Sequence, residues 1–285
     1  MSSLAPTPAT AEPQKRAKRP IPRQSKANRP LLYPLAAFRR GATLFLETLL
    51  WCIKPGALKR RRRQILEQLF VIGNKSVVFI TVTLGVLGLI SVFQVLVQVE
   101  RILPDFSMIG PAFIQIMTRE FAPTMAGLMI ATRVGSGIAA EIGSMVVTEQ
   151  VDALRMCNAD PVDYLVMPRF VASVIQTTLL SIYGCVIGVA SGFIAAGLFW
   201  NIPAGTFFNL QLVAYGDVVS GLMKAVAYGM AVPIVAAQAG LETSGGSEGV
   251  GTATTRAVVN ASFSVVVLDF LLSGFSFLFL SKGPM

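Results

Sequence analysis

The sequence predicts an all-α integral membrane protein, with an amino-terminal helix lying in the membrane interface, five transmembrane helices and a short polar helix on the cytosolic side. Three observations carry this reading. Of 285 residues, 53% are hydrophobic and 14% charged, where an average soluble domain carries roughly 25% charged residues. Uncharged runs of membrane-spanning length recur, among them the 31 positions from Phe170 to Trp200. Charge is also unevenly spread. Residues 1–63 hold 15 Lys and Arg against Glu12 and Glu47, a net +13, and the remainder holds nine against 13, a net −4, giving the formal +9. That asymmetry follows the positive-inside rule, and anionic lipid accounts for the basic arm with no nucleic-acid partner.

The elements follow in order. Residues 1–30 hold seven Lys and Arg and six Pro with almost no aliphatic side chains, the composition of a disordered cytosolic arm. No apolar core follows those charges at the distance a signal peptide needs. From Leu31 to Ile53 the chain turns apolar, with Arg39, Arg40, Glu47 and Trp51 interspersed, which suits a helix lying in the interface. The basic run from Leu58 to Arg63 completes this linker, 31–63, and fixes the start of the first span in the cytosol. Residues 64–285 read as one membrane domain.

Within it, residues 76–97 give 22 uncharged positions, enough for about 30 Å of hydrocarbon at 1.5 Å per residue. Gly73, Asn74 and Lys75 just upstream predict a break or an oblique start. The second span is expected at 121–140, after a separate apolar piece from Ile109 to Met117. The third, Phe170 to Trp200, is long enough to require tilt or projection beyond the lipid. The fourth is expected at 218–241 and the fifth at 257–281. With the amino terminus in the cytosol, five crossings put the carboxy terminus outside and the segments 141–169 and 242–256 on the cytosolic face.

Several chemistries are excluded. Histidine is absent, which removes imidazole bases, His metal ligands and Ser-His-Asp triads. Cys52, Cys157 and Cys185 share no CxxC spacing and read as reduced packing residues. Neither a GxxxxGK[ST] loop nor a kinase Gly-rich loop is present, so the chain binds no nucleotide of its own by either motif. Gly135-Ser136-Gly137 with Ala139, Ala140 and Gly143 has no strand before it and reads as small-residue helix packing. Gly184, Gly188 and Gly192, at i, i+4, i+8, mark a second smooth ridge, one suited to close helix approach across a dimer. The run Gly245 to Gly251 lacks the Lys of a phosphate loop and reads as a flexible turn before a helix capped near Thr252 to Thr255.

The segment from Glu141 to Arg169 is the densest acidic stretch, with Glu141, Glu149, Asp152, Asp160 and Asp163 between two apolar runs. Val147, Val151 and Leu154 at i, i+4, i+7 predict one apolar face on a short amphipathic helix. Asp160-Pro161 predicts the next start, an N-cap acid followed by Pro at the first helical position. As a bare pattern this is a solvated loop or a docking surface for a soluble partner.

The run Glu141-Ile142-Gly143-Ser144-Met145, then Thr148-Glu149-Gln150-Val151-Asp152-Ala153-Leu154, Asp160-Pro161 and Pro168-Arg169, closely resembles the MlaE/YrbE family. Gly245-Gly246-Ser247-Glu248-Gly249-Val250-Gly251 with Ala253-Thr254-Thr255-Arg256-Ala257-Val258-Val259 resembles the same family in the same order. The resemblance covers roughly residues 65 to 282. It implies a permease subunit of an ABC transporter in the bacterial inner membrane that moves phospholipid or a similar amphiphile. It further implies a partner ABC ATPase holding ATP-Mg, a second permease copy and an MCE-domain lipid carrier, with no cofactor, metal or catalytic residue in this chain. On that reading 141–163 is the coupling segment, with Glu141, Met145, Glu149, Gln150, Asp152 and Leu154 at the ATPase.

The intramembrane charges are the remaining signal. Lys75, Arg119, Glu120, Arg133, Lys224 and Asp269 lie in or beside apolar runs, where an ionisable group at the bilayer centre costs about 2.5–3.5 kcal/mol. They are expected to line a substrate cavity or to pair. Arg119 and Glu120 are adjacent and are expected on different helical faces; Lys75, Arg133 and Lys224 are the cations available to Asp269. The rival class is an ion-coupled secondary transporter using the same acids as proton or cation sites, for which no inverted repeat is visible. A purely structural anchor leaves the charge in the middle of the fifth span unexplained.

Overall fold

The computed structural model describes residues 33–54, 56–102, 108–210 and 212–279. The expected arm 1–30 and the carboxy end at Met285 lie outside them. Residues 38–285 form one compact unit; residues 33–37, the described end of the other, are helical. The elements are α1 (Tyr33–Ile53), α2 (Ala57–Arg60), α3 (Arg62–Ile102), α4 (Ile109–Ile116), α5 (Ala122–Val147), α6 (Gln150–Met156), α7 (Met167–Trp200), α8 (Ala204–Phe207), α9 (Tyr215–Leu241) and α10 (Gly246–Phe279). Two π turns, Met117–Phe121 and Val162–Val166, lead into α5 and α7. The described residues contain no strand, and five helical rods are long and apolar enough to cross a membrane. The chain is an all-α, multi-pass membrane protein.

The rods are longer than the expected spans. Arg62–Val99 is continuous over 38 residues, so Gly73 to Lys75 does not break it. Gly73 instead makes room for a neighbour, since a Cβ there would lie 1.6 Å from Nε2 of Gln176. Ile109–Val147 is likewise a single rod of 39 residues, because the π turn keeps the helix going where two pieces were expected. The third rod begins at Val162 and the fourth at Tyr215. The fifth begins at Gly246, so most of the glycine-rich run is helix, and the turn is confined to Gly245 and Gly246, with φ of 95° and 74°.

Small residues set the packing, as they do where lipid supplies no hydrophobic drive between helices. α3 and α7 run parallel, with Leu84 against Gly184 and Gly88 against Gly188. The Gly184, Gly188 and Gly192 ridge therefore meets Leu84, Met117, Phe113 and Val92 of this same chain, and the expected contact across a dimer is replaced by an internal one. α5 and α9 are also parallel, Gly127 lying on Tyr228, Gly135 near Val232 and Gly143 on Thr243. The larger core joins α3, α5, α7, α9 and α10 through residues such as Ile80, Ile130, Val232 and Val265. A second core at the other end packs Phe113, Val92, Ala196 and Phe207.

Candidate functional site

Two polar constellations interrupt this apolar fold. The first crosses the spans. The π turn at Met117–Phe121 widens the helix and lessens the angle between neighbouring side chains. Arg119 and Glu120, expected on different faces, thus both reach α9, with Arg119 Nε 3.5 Å from Glu120 Oε1. Arg119 Nη1 lies 3.3 Å from Asp217 Oδ1, and Gln115 Nε2 donates to Asp217 Oδ2 at 2.9 Å. Lys224, fully buried on α9, pairs with Glu120, lies 3.0 Å from Asp269 Oδ1 and donates to Ser273 Oγ at 2.7 Å. Tyr228 and Thr124 donate to Asp269 at 2.7 and 3.2 Å.

The result is a ladder, Asp217, Arg119, Glu120, Lys224, Asp269, whose three acids and two bases alternate in sign across the π turn, α9 and α10. A buried charge persists only when paired and hydrogen-bonded, and Lys224 meets that condition with two carboxylates and a hydroxyl. The ladder is not closed. Side chains of Glu120 and Asp269 are 34% and 26% exposed, and the adjoining face of α10 carries the exposed, apolar Phe263, Phe270 and Phe277.

The second constellation surrounds α6. Glu149 takes φ 59°, a left-handed conformation uncommon for a residue with a Cβ. The chain therefore turns there, α6 starts at Gln150, and Val147 stays on α5 as an exposed residue. The expected face of Val147, Val151 and Leu154 is thus not formed. Val151 alone of the three is buried and Leu154 is half-buried. Met145 is also half-buried, while Glu149, Gln150, Asp152 and Met156 face outward. Among the described residues Asp152 pairs with Arg155 of its own helix, at 3.0 Å.

The other acids of this segment are held by partners, Asp163 buried and Asp160 and Glu141 at exposed positions. Asp160 Oδ1 accepts the Val162 N–H at 2.9 Å as an N-cap, and its Oδ2 accepts the Trp51 indole N–H at 3.2 Å. Asp163 is buried and lies 2.8 and 2.9 Å from Arg60 and Arg61. Glu141 pairs with Arg169 at 2.7 Å. Arg40 reaches Glu242, beyond α9, at 3.2 Å. Beneath these bonds Ala57, Ile65 and Met167 form a small core with Trp51 and Cys52, where burial pushes the Cys52 thiol pKa up. The segment 38–61 is thereby fastened to both loops at this end of the bundle.

Of the intramembrane charges singled out from sequence, Arg119, Glu120, Lys224 and Asp269 meet in the ladder. Lys75 and Arg133 do not; Arg133 donates to Ser76 at 3.0 Å and Lys75 is exposed. Sequence reasoning missed Asp217, Gln115 and Tyr228. A signal was present in α9, where Asp217, Lys224 and Tyr228 recur at i, i+7, i+11 on one face. It also missed Trp51, Arg60 and Arg61 as partners of the acidic segment, because contacts between distant segments leave no local pattern.

The family model described as Permease MlaE matches residues 65–275. A "Probable ABC transporter permease protein" of Rickettsia typhi is 39% identical over 214 residues, 73% of this chain and 81% of its own length. One of the same description from a Synechocystis species is 37% identical over 219 residues, 76% of this chain and 82% of its own length. The chloroplastic protein trigalactosyldiacylglycerol 1 of Arabidopsis thaliana is 32% identical over 217 residues, 75% of this chain and 62% of its own.

Proposed function

The chain belongs to the MlaE permease family, and from that premise we propose that it moves phospholipid or a similar diacyl amphiphile across the cell envelope as the transmembrane subunit of an ATP-driven transporter. In this reading a partner ABC ATPase binds ATP-Mg and docks on α6, a second permease copy faces the first, and an MCE-domain carrier receives or delivers lipid outside. The membrane is the bacterial inner membrane, with the amino terminus in the cytosol and the carboxy terminus outside.

The ladder is the observation that carries the proposal. Glu120 and Asp269 are partly exposed beside apolar side chains, and a carboxylate facing hydrocarbon costs several kcal/mol on the order of insertion scales. That face is favoured only if it turns to a polar cavity, where a headgroup meets the ladder and acyl chains meet the apolar wall. The plant relative bears the name of a diacylglycerol lipid, which supports a lipid reading. At the other end, closure of two ATPases would move α6, and through Asp160 and Asp163 the segment holding α3.

The test is reconstitution of the co-purified complex in liposomes holding a fluorescent phospholipid. The proposal expects ATP-dependent transfer to an acceptor that is insensitive to ion gradients. Transfer driven by a proton or sodium gradient, with ATP inert, would favour the ion-coupled alternative instead.

A further inference from the structure

Lys75 and Arg133 stand apart from the ladder, and we propose that they bind the phosphate of a phospholipid in the leaflet on the α6 side, where Arg133 of α5 meets Ser76 of α3. Arg133 is half-buried in its span, and among the described residues its one side-chain partner is the hydroxyl of Ser76, itself buried. A guanidinium carries five N–H donors and a full charge; a hydroxyl satisfies one donor and none of the charge. Among the described residues no carboxylate pairs with Arg133 or with Lys75. The inward cations Arg119, Lys224 and Arg169 each have such a partner.

The surroundings are donors. Lys75 precedes Ser76 on the exposed side of α3. The Gln176 amide nitrogen lies over Gly73, one turn before Ser76 on the same face. Cations with neutral donors and no acid suit a phosphate oxygen.

Depth and shape select a lipid over a free anion. Lys75 is the last charge before the uncharged run of α3 that begins at Ser76. Arg133 lies eight residues before Glu141, about 12 Å along the helix at 1.5 Å per residue. Both therefore stand near the boundary of the hydrocarbon. Above Lys75 the exposed side chains of Val78, Val82, Val86 and Ile90 repeat every fourth position, an apolar stripe about 18 Å long against which an acyl chain can lie. The site requires only that the chain sits in a bilayer; it stands whether or not the transport reading does.

The test uses the full chain in detergent, titrated with dioleoyl phosphatidylglycerol, with dioleoylglycerol or with inorganic phosphate, and native mass spectrometry to count bound lipid. The wild type is expected to hold one more phosphatidylglycerol than dioleoylglycerol, undisturbed by millimolar phosphate. Lys75→Gln and Arg133→Gln each weaken that binding about tenfold, the scale of one charge-assisted hydrogen bond, and Arg133→Lys restores part of it. If inorganic phosphate displaces the lipid, the site takes a free anion and the lipid assignment is wrong. Equal retention of both lipids overturns the proposal, as does undiminished binding in folded variants. If Arg133→Gln fails to fold, Lys75→Gln at its exposed position decides alone. The measurement needs neither ATP nor a partner, so its failure is separate from any failure of transport.

Discussion

The Lys224 ammonium lies 3.0 Å from Oδ1 of Asp269, tying α9 to α10 in the apolar part of both helices. The same nitrogen pairs with Glu120, so a single buried cation is shared by two carboxylates from two other segments. Removing one partner of a buried pair leaves an uncompensated charge, at a cost of about 3–5 kcal/mol. Lys224→Met is expected to lower the thermal stability of the purified protein by that order. Adding Asp269→Asn to it is expected to recover part of the loss, a non-additivity that independent sites do not show. Additive losses would mean that the two groups are not coupled.

The latch beneath α6 gives a second expectation. Asp163 binds Arg60 and Arg61 and is buried, whereas Glu149 and Asp152 are exposed. Asp163→Asn is expected to speed amide exchange across 51–61, while the double reversal of Glu149 and Asp152 to Lys leaves exchange unchanged and releases the ATPase or uncouples hydrolysis from transport. Retention of partner and transport by the double variant would move the docking site away from α6.

Helix approach gives a third. At Gly88 an added Cβ would stand 2.2 Å from the Gly188 carbonyl oxygen, and at Gly137 it would meet nothing within 4 Å. Gly88→Ala forces α3 from α7 and is expected to cost about 1–3 kcal/mol; Gly137→Ala is expected to be neutral within about 0.5 kcal/mol. Unfolding midpoints of the two variants measure the contrast.

Orientation is checked by labelling. With Cys52, Cys157 and Cys185 replaced, Glu149→Cys and Ser247→Cys are expected to resist a membrane-impermeant thiol reagent added to intact cells. Gly205→Cys, exposed between α7 and α9, is expected to react. Reaction at position 149 would invert the topology.

How much of this was legible in the sequence depended on range. The five spans were, because each apolar run is a local property, although their ends were set too short: α3 crosses Gly73 once Gln176 fills the space, and the sequence of α3 does not contain Gln176. The shared reach of Arg119 and Glu120 to α9 turned on a π turn, which composition does not reveal. The amphipathic face expected through Val147 failed at Glu149, whose left-handed backbone is not the usual choice for a glutamate. Three cations were open to Asp269, and only the packing of α9 on α10 selected Lys224.

The central claim, that the ladder serves amphiphile transport, is tested most directly by Asp269→Asn in the reconstituted complex. The substitution keeps the shape and the hydrogen bonds from Tyr228 and Thr124 and removes the charge. Expression and ATPase binding are expected to persist while ATP-driven phospholipid transfer falls by about tenfold or more, a barrier increase of about 1.4 kcal/mol. Normal transfer by Asp269→Asn, with Asp269→Leu failing to fold, would make the residue a structural hydrogen-bonding group and contradict the account.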